Sequence, residues 1–152
     1  MNGNKTLIAY MSKSGVTAEN AKIISDILKS DYDHEVDLIN LKENNKPDLS
    51  QYDNIIIGSG IRMARWYGKA NKFLKNDFKG KKVAIFLSSG AAGDPETYQE
   101  AITKYIDNKL IKNPHVKPVL TEAFGGRYSN FDYTDPEKVK IWATELGKKL
   151  IE

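Results

Sequence analysis

The chain has 152 residues, 40% of them hydrophobic and 28% charged, enough to bury one core without covalent staples. It has no cysteine, which excludes disulfides, thiolate catalysis and cysteine-held metals. The net charge of +3 comes from lysines interspersed with acidic residues, where a nucleic-acid binder would concentrate them in a stripe.

The N-terminal Met-Asn-Gly-Asn-Lys lacks the apolar run of a secretory signal, and no stretch reaches membrane-spanning length. The expectation is a cytoplasmic, soluble single domain, 1–152, without a membrane anchor.

The first strand reads Lys5 to Tyr10, apolar on both faces as a central parallel strand must be. It breaks into Ser12-Lys13-Ser14-Gly15-Val16-Thr17 and then an amphipathic helix from Ala18 to Leu28, with Ala21, Ile24 and Leu28 on one stripe. The first N–H groups of such a helix have no intrahelical acceptor, and its dipole adds positive potential there. Three hydroxyls and a glycine on so short a loop suit a single monophosphate. The plainer reading of the loop is a helix start capped by Ser14 or Thr17. Neither Gly-x-Gly-x-x-Gly nor Gly-x-x-x-x-Gly-Lys-Ser/Thr occurs there, so pyrophosphate and triphosphate cradles are not indicated.

His34 to Ile39 alternates polar and apolar, as an edge strand does, and a polar stretch from Lys42 to Ser50 crosses over. Asn54 to Gly60 is the third strand. Arg62 to Gly68 then leads into a helix ending near Asn76. Lys82 to Leu87 is the fourth strand, opening into Ser88-Ser89-Gly90-Ala91-Ala92-Gly93-Asp94-Pro95. A helix from about Glu96 to Leu110 faces Ala101 and Tyr105 inward. Val116 to Phe124 is the fifth strand, followed by Gly125-Gly126-Arg127-Tyr128. Thr134-Asp135-Pro136-Glu137 reads as a capping box for a last helix that buries Val139, Trp142, Ala143, Leu146 and Leu150. His34 and His115 stand beside turns and read as surface residues.

Strands alternating with helices give a parallel sheet covered on both faces. Small-residue loops then converge at the carboxyl ends of four strands, the edge where such sheets bind ligands. Aromatics and arginines close behind those loops point to a flat ligand.

With the loops placed, Ser-Lys-Ser-Gly-Val-Thr, Tyr52 to Ser59 and the Ser88–Pro95 loop resemble the flavodoxin superfamily over nearly the whole chain. Ile57 to Arg62, Gly125 to Tyr128 and Tyr133 to Asp135 are similar to the branch that includes menaquinone-dependent protoporphyrinogen oxidase. The resemblance implies an α/β fold, a doubly wound five-stranded parallel sheet in the order 2-1-3-4-5, with FMN at its carboxyl edge. It places Ser12, Lys13, Ser14, Gly15, Val16 and Thr17 on the phosphate loop. Gly58, Ser59, Gly60, Ile61, Arg62, Met63 and Trp66 fall on a second flavin loop, and Ser88, Ser89, Gly90, Ala91, Ala92, Gly93, Asp94 and Tyr98 on a third.

Trp66 and Tyr98 are the candidate stacking rings, and Gly58 or Gly60 the candidate for a peptide flip toward reduced flavin. No metal ligand or catalytic side chain is implied. The expected function is electron transfer between soluble redox proteins, by a monomer or weak dimer; the alternative is an FMN-dependent oxidoreductase of the protoporphyrinogen-oxidase type acting on an organic substrate. Arg62, Arg65 and Arg127 are expected to include at least one at the flavin or its docking rim. The excess of positive charge departs from typical acidic flavodoxins, whose acidic face serves docking to basic redox partners, and a different partner is expected.

Overall fold

Period-two apolar runs and period-3.6 stripes decide the layers of this chain. In the computed structural model, which describes residues 3–12, 15–128 and 130–152, the order is as follows. β1 (Lys5–Met11) leads to α1 (Val16–Tyr32), β2 (Glu35–Asn40) and β3 (Asn54–Arg62), and a short β4 (Arg65–Trp66) folds back onto β3. α2 (Gly68–Phe73) precedes β5 (Lys82–Ser89). A broken helix of α3 (Tyr98–Ala101), a π turn at Ile102–Asp107 and α4 (Asn108–Lys112) then leads to β6 (Leu120–Gly125). The two-residue strands β7 (Arg127–Tyr128) and β8 (Phe131–Asp132) pair before α5 (Pro136–Ile151).

The main sheet runs β2-β1-β3-β5-β6, all parallel, with β4 off the path. Skipping β4, this is the expected 2-1-3-4-5 order. Ile55, Ile56 and Ile57 pair with Leu7, Ile8 and Ala9 and are all fully buried. Each such side chain contributes about 1.5–3 kcal/mol relative to exposure. Alternation sends Ile8, Ile56, Ala84 and Phe86 to the face under α1 and α5. Leu7, Ala9, Ile55, Ile57 and Ile85 go to the face under α2 and the broken helix. β2 has one neighbour, as an edge strand does, but its exposure does not alternate strictly: Leu38 is exposed beside Asp37. Among the described residues no helix is long and apolar enough to cross a membrane.

Several local expectations are corrected. α1 begins at Val16 rather than Ala18, because Gly15 takes φ 91° and serves as N-cap without a side-chain bond. Thr17 therefore lies inside the first turn, 1% exposed, and is not the cap. His34 is buried rather than on the surface. Its Nδ1 is 2.8 Å from Thr6 Oγ1, and burial pulls its pKa below the ordinary value. The 96–110 helix is broken by a π turn whose i→i+5 bond runs from Asn108 N–H to Thr103 O, which brings Tyr105 and Ile106 inward together. At α5 the cap is Asp135, whose carboxylate accepts from Lys138 N–H, with Pro136 in the first turn. Thr134 bonds Asp132 instead of closing a capping box. The five residues expected to be buried on α5 are buried.

Candidate functional site

Four strand ends deliver residues to one cleft of about 300 Å³. The first βα junction contributes Val16 and Thr17, and the end of β3 contributes Gly60, Ile61, Arg62 and Met63. β5 adds Ser88, Ser89 and Gly90, and the turn after β6 adds Gly126 and Arg127. The sequence reading brought these loops to the same edge, and the geometry joins them in one depression.

At the first junction Ser12 Oγ accepts from Gly15 N–H at 3.1 Å, which leaves the hydroxyl proton to donate. Positive φ at Gly15 is a conformation that β-carbons disfavour. With no side-chain cap among the described residues, the first N–H groups of α1 keep their donors for a ligand. Lys13 and Ser14 lie outside the described residues.

Glu19, one turn into α1, stands close by, with Oε2 3.7 Å from where a Cβ on Gly15 would be. Its charge is compensated by Arg127, which donates from both terminal nitrogens at 3.2 and 2.5 Å. The hydrogen bond to Arg127 holds the Glu19 carboxyl below its usual pKa. The pair ties the mouth of the cleft from α1 to β7.

The second loop is a hairpin. Ile61 pairs with Trp66 and Arg62 with Arg65, so Met63 and Ala64 form a two-residue turn with φ 52° and 61°. Both central residues are left-handed, as a type I′ turn demands, with none of the usual Asn or Gly to ease it. Ser59 Oγ donates to Gly60 O and accepts from Tyr67 N–H, fastening the hairpin base. The hairpin separates neighbouring aromatics. Tyr67 lines the cleft, while Trp66 is 7% exposed among core residues and donates Nε1–H to Tyr105 O.

Of the two candidate flips, Gly58 is inside β3 against Phe86, where a Cβ would fall 2.3 Å from Cζ. Gly60 is paired with Ser88 and would bring a Cβ to 2.7 Å of Tyr67. Both are close-packing positions in strand register. The left-handed backbone is at Met63 and Ala64.

The third loop divides. Ser88, Ser89 and Gly90 face the cleft, and Ser88 Oγ accepts from the buried Asn20 of α1 at 3.2 Å. Ala91–Gly93 is a single 3₁₀ turn, and Asp94 accepts from Glu96 N–H in a local turn. Tyr98 begins α3 and lines a different cavity of about 560 Å³ with Gly93, Gly125 and Tyr133. Its hydroxyl donates to Glu122, and burial first, then that bond, raises its pKa. The structure thus does not bring Trp66, Tyr98 and Ala91–Asp94 to the cleft.

Tyr67 and Asn20 were absent from the site read in sequence, whereas Arg127 was expected among three arginines at the rim and Gly126 on one of the four converging loops. Tyr67 follows a tryptophan that drew the aromatic reading, and Asn20 is revealed by a bond spanning 68 residues. Arg62 and Arg127 both line the cleft; Arg65 does not.

This is the ligand-binding carboxyl edge of a flavodoxin-like α/β sheet, its strand order reversing between β1 and β3. The chain belongs to the flavodoxin domain family, whose model matches residues 7–149. It is 32% identical to oxidised flavodoxin 2 from Bacillus cereus, with a TM-score of 0.67, covering 95% of this chain and 99% of that one. A flavodoxin from Fusobacterium nucleatum, bound to flavin mononucleotide, is 16% identical with a TM-score of 0.60, covering 95% and 98%. The protoporphyrinogen IX dehydrogenase [quinone] of Escherichia coli K12 is 24% identical over 142 residues, 90% of this chain and 77% of that protein.

Proposed function

We propose that the protein is an electron carrier that holds FMN in this cleft and passes electrons between soluble redox partners. The observation that carries the reading is the meeting of the α1 helix start with three other strand-end loops in one depression. The donor set fits FMN. The hydroxyls of Ser12 and Thr17 and the first N–H groups of α1 suit one phosphate, with Lys13 and Ser14 on the same loop.

Glycine-walled strand ends leave flat backbone surfaces for a ring. A Cβ on Gly126 would press to 3.4 Å of Ser89 backbone. A cleft of about 300 Å³ has the volume for one flat heterocycle.

Bound FMN would supply the redox chemistry; the protein's contribution is binding, orientation and electrostatics. Ser88–Gly90 and Gly60–Met63 would hold the ring, with Tyr67 the cleft's aromatic wall. Arg62 adds positive potential at the rim. The Glu19–Arg127 pair removes a carboxylate's repulsion from the phosphate side.

The alternative, an FMN-dependent oxidoreductase of an organic substrate, draws on the name of the E. coli relative. It calls for a substrate chamber over the flavin that includes Trp66, and Trp66 does not line this cleft.

Titration of flavin-free protein tests the reading. FMN is expected to bind one to one and quench its fluorescence, with riboflavin at least tenfold weaker for want of the phosphate grip (about 1.4 kcal/mol per tenfold). Equal affinity for both, or no uptake of either, refutes it.

A further inference from the structure

The hairpin that walls the cleft has a second side. Ala64 and Arg65 line a separate cavity of about 360 Å³ bounded by Trp66 and Tyr105. Arg65, Lys104, Lys109 and Lys112 converge on it without a single carboxylate in its lining. None of the four belongs to an ion pair among the described residues.

The π turn helps gather them. It lets Tyr105 and Ile106 pack inward while Lys104, Asn108, Lys109 and Lys112 reach the cavity. Lys109 Nζ sits 5.8 Å from the Trp66 ring and donates to Asn71 Oδ1 at 2.7 Å. Lys104 Nζ is 5.6 Å from the Tyr105 ring. Partial burial, with Lys112 and Lys75 nearby, draws the Lys109 pKa down, the mark of cations lacking an anion.

A second observation stands beside the first. Met63, at the tip of the same hairpin, is 86% exposed and held with Ala64 in left-handed backbone. A bare methionine on a constrained turn, flanked by uncompensated cations, matches an interface core with a charged rim.

We infer that the hairpin tip and the basic cavity behind it form a docking face for a redox protein with an acidic surface, Met63 entering the contact and partner carboxylates meeting Arg65, Lys104, Lys109 and Lys112. This rests on the carrier reading, because Arg62 and Met63 wall the cleft and a partner seated on the hairpin lies against the flavin's rim. A small anion in the cavity would leave Met63 in water; a protein surface covers both. The net charge of +3 favours the same polarity.

The test uses an acidic plant-type [2Fe–2S] ferredoxin as probe, immobilised, with the flavin-loaded protein in solution. Binding is expected at low salt and to weaken at least tenfold near ~0.2 M salt, where the screening length is about 7–8 Å. Arg65→Glu with Lys112→Glu takes the net charge from +3 to −1 and is expected to weaken binding roughly tenfold, in line with the effect of charge complementarity on association. Lys29→Glu with Lys148→Glu makes the same charge change on α1 and α5, across the sheet, and is expected to shift binding by less than about twofold. Met63→Ser is expected to weaken binding severalfold at both salt levels.

Equal losses from the two double variants would overturn the proposal, as would equal affinity for basic cytochrome c. So would inorganic pyrophosphate changing Trp66 fluorescence in a protein indifferent to ferredoxin. Flavin uptake is recorded on the same samples. Failure to take up FMN refutes the carrier reading alone, whereas intact uptake with no sensitivity at Arg65 and Lys112 refutes the docking face alone.

Discussion

Gly58→Ala is the sharpest probe of what the glycines of β3 are for. A methyl at this position would lie 2.3, 2.6 and 2.8 Å from Cζ, Cε1 and Cε2 of Phe86, against a normal contact nearer 3.4–4 Å. Phe86 is fully buried and wedged by Phe124 at 6.2 Å and Trp142 at 6.1 Å between ring centroids, so it cannot swing aside freely. Overpacking of this kind costs about 1–3 kcal/mol, and more than 1 Å of overlap on a trapped ring puts Gly58→Ala at or above the top of that range. The three clashing ring atoms are those that leucine lacks.

Phe86→Leu alone should cost about 1–2 kcal/mol as a smaller side chain in a packed site. In the Gly58→Ala background it should restore stability, giving a coupling of about 1–2 kcal/mol in the double-mutant cycle. Urea unfolding of the four flavin-free proteins, followed by tryptophan fluorescence and circular dichroism, measures each term. An unchanged midpoint for Gly58→Ala, or additive losses in the double variant, refutes the packing account. So would a selective loss of FMN affinity with stability intact, the outcome for a glycine that serves the cofactor directly.

Two further outcomes follow from charges. Arg127→Ala should weaken FMN binding roughly tenfold, since Glu19 is then left bare beside the phosphate loop; adding Glu19→Gln should recover much of the loss, and fluorescence titration of the three variants decides it. His34 has a folded-state pKa below its ordinary 6.5, so as pH falls the unfolded chain takes the proton first. Its contribution to stability is complete above about pH 6.5 and shrinks below it until the depressed folded pKa is passed. The urea midpoint should therefore drop as the pH falls below about 6.5, and a variant His34→Gln should flatten that drop; an equal slope in both proteins refutes the assignment.

What could be read in the sequence was what repeats locally. Ile55–Ile57 and the Val139–Leu150 stripe announce their burial by period alone, and both are buried in full. The alternation of elements announced a parallel sheet, whereas its strand order came only with the resemblance to flavodoxins. What escaped depends on partners far along the chain or on backbone without its customary residues.

Met63 and Ala64 make a type I′ turn with no Asn or Gly to announce it, so the segment read as a lead into a helix. That hidden hairpin moved the aromatic reading to the wrong neighbour: Trp66 packs in the core, and Tyr67 meets the cleft. His34 looked exposed beside its turn, and is buried because Thr6, 28 residues earlier, offers a hydroxyl. Tyr98 looked like a loop ring and is instead drawn aside by Glu122 on β6.

The placement of charge follows from the same hairpin. A phosphate held by neutral N–H and hydroxyl donors keeps its own negative charge, so nearby carboxylates must be silenced and nearby cations have lasting effect. Glu19 is silenced by Arg127 at the mouth, in a pair that spans 108 residues of sequence. Arg62 and Arg65 are antiparallel partners on the hairpin, yet only Arg62 lines the cleft; Arg65 lines the basic cavity. One two-residue turn thereby divides the local positive charge between a site for a small anion and a face for a large one. Melting that hairpin would disturb both, whereas charge changes confined to Arg65 and Lys112 would leave the cleft's own lining intact.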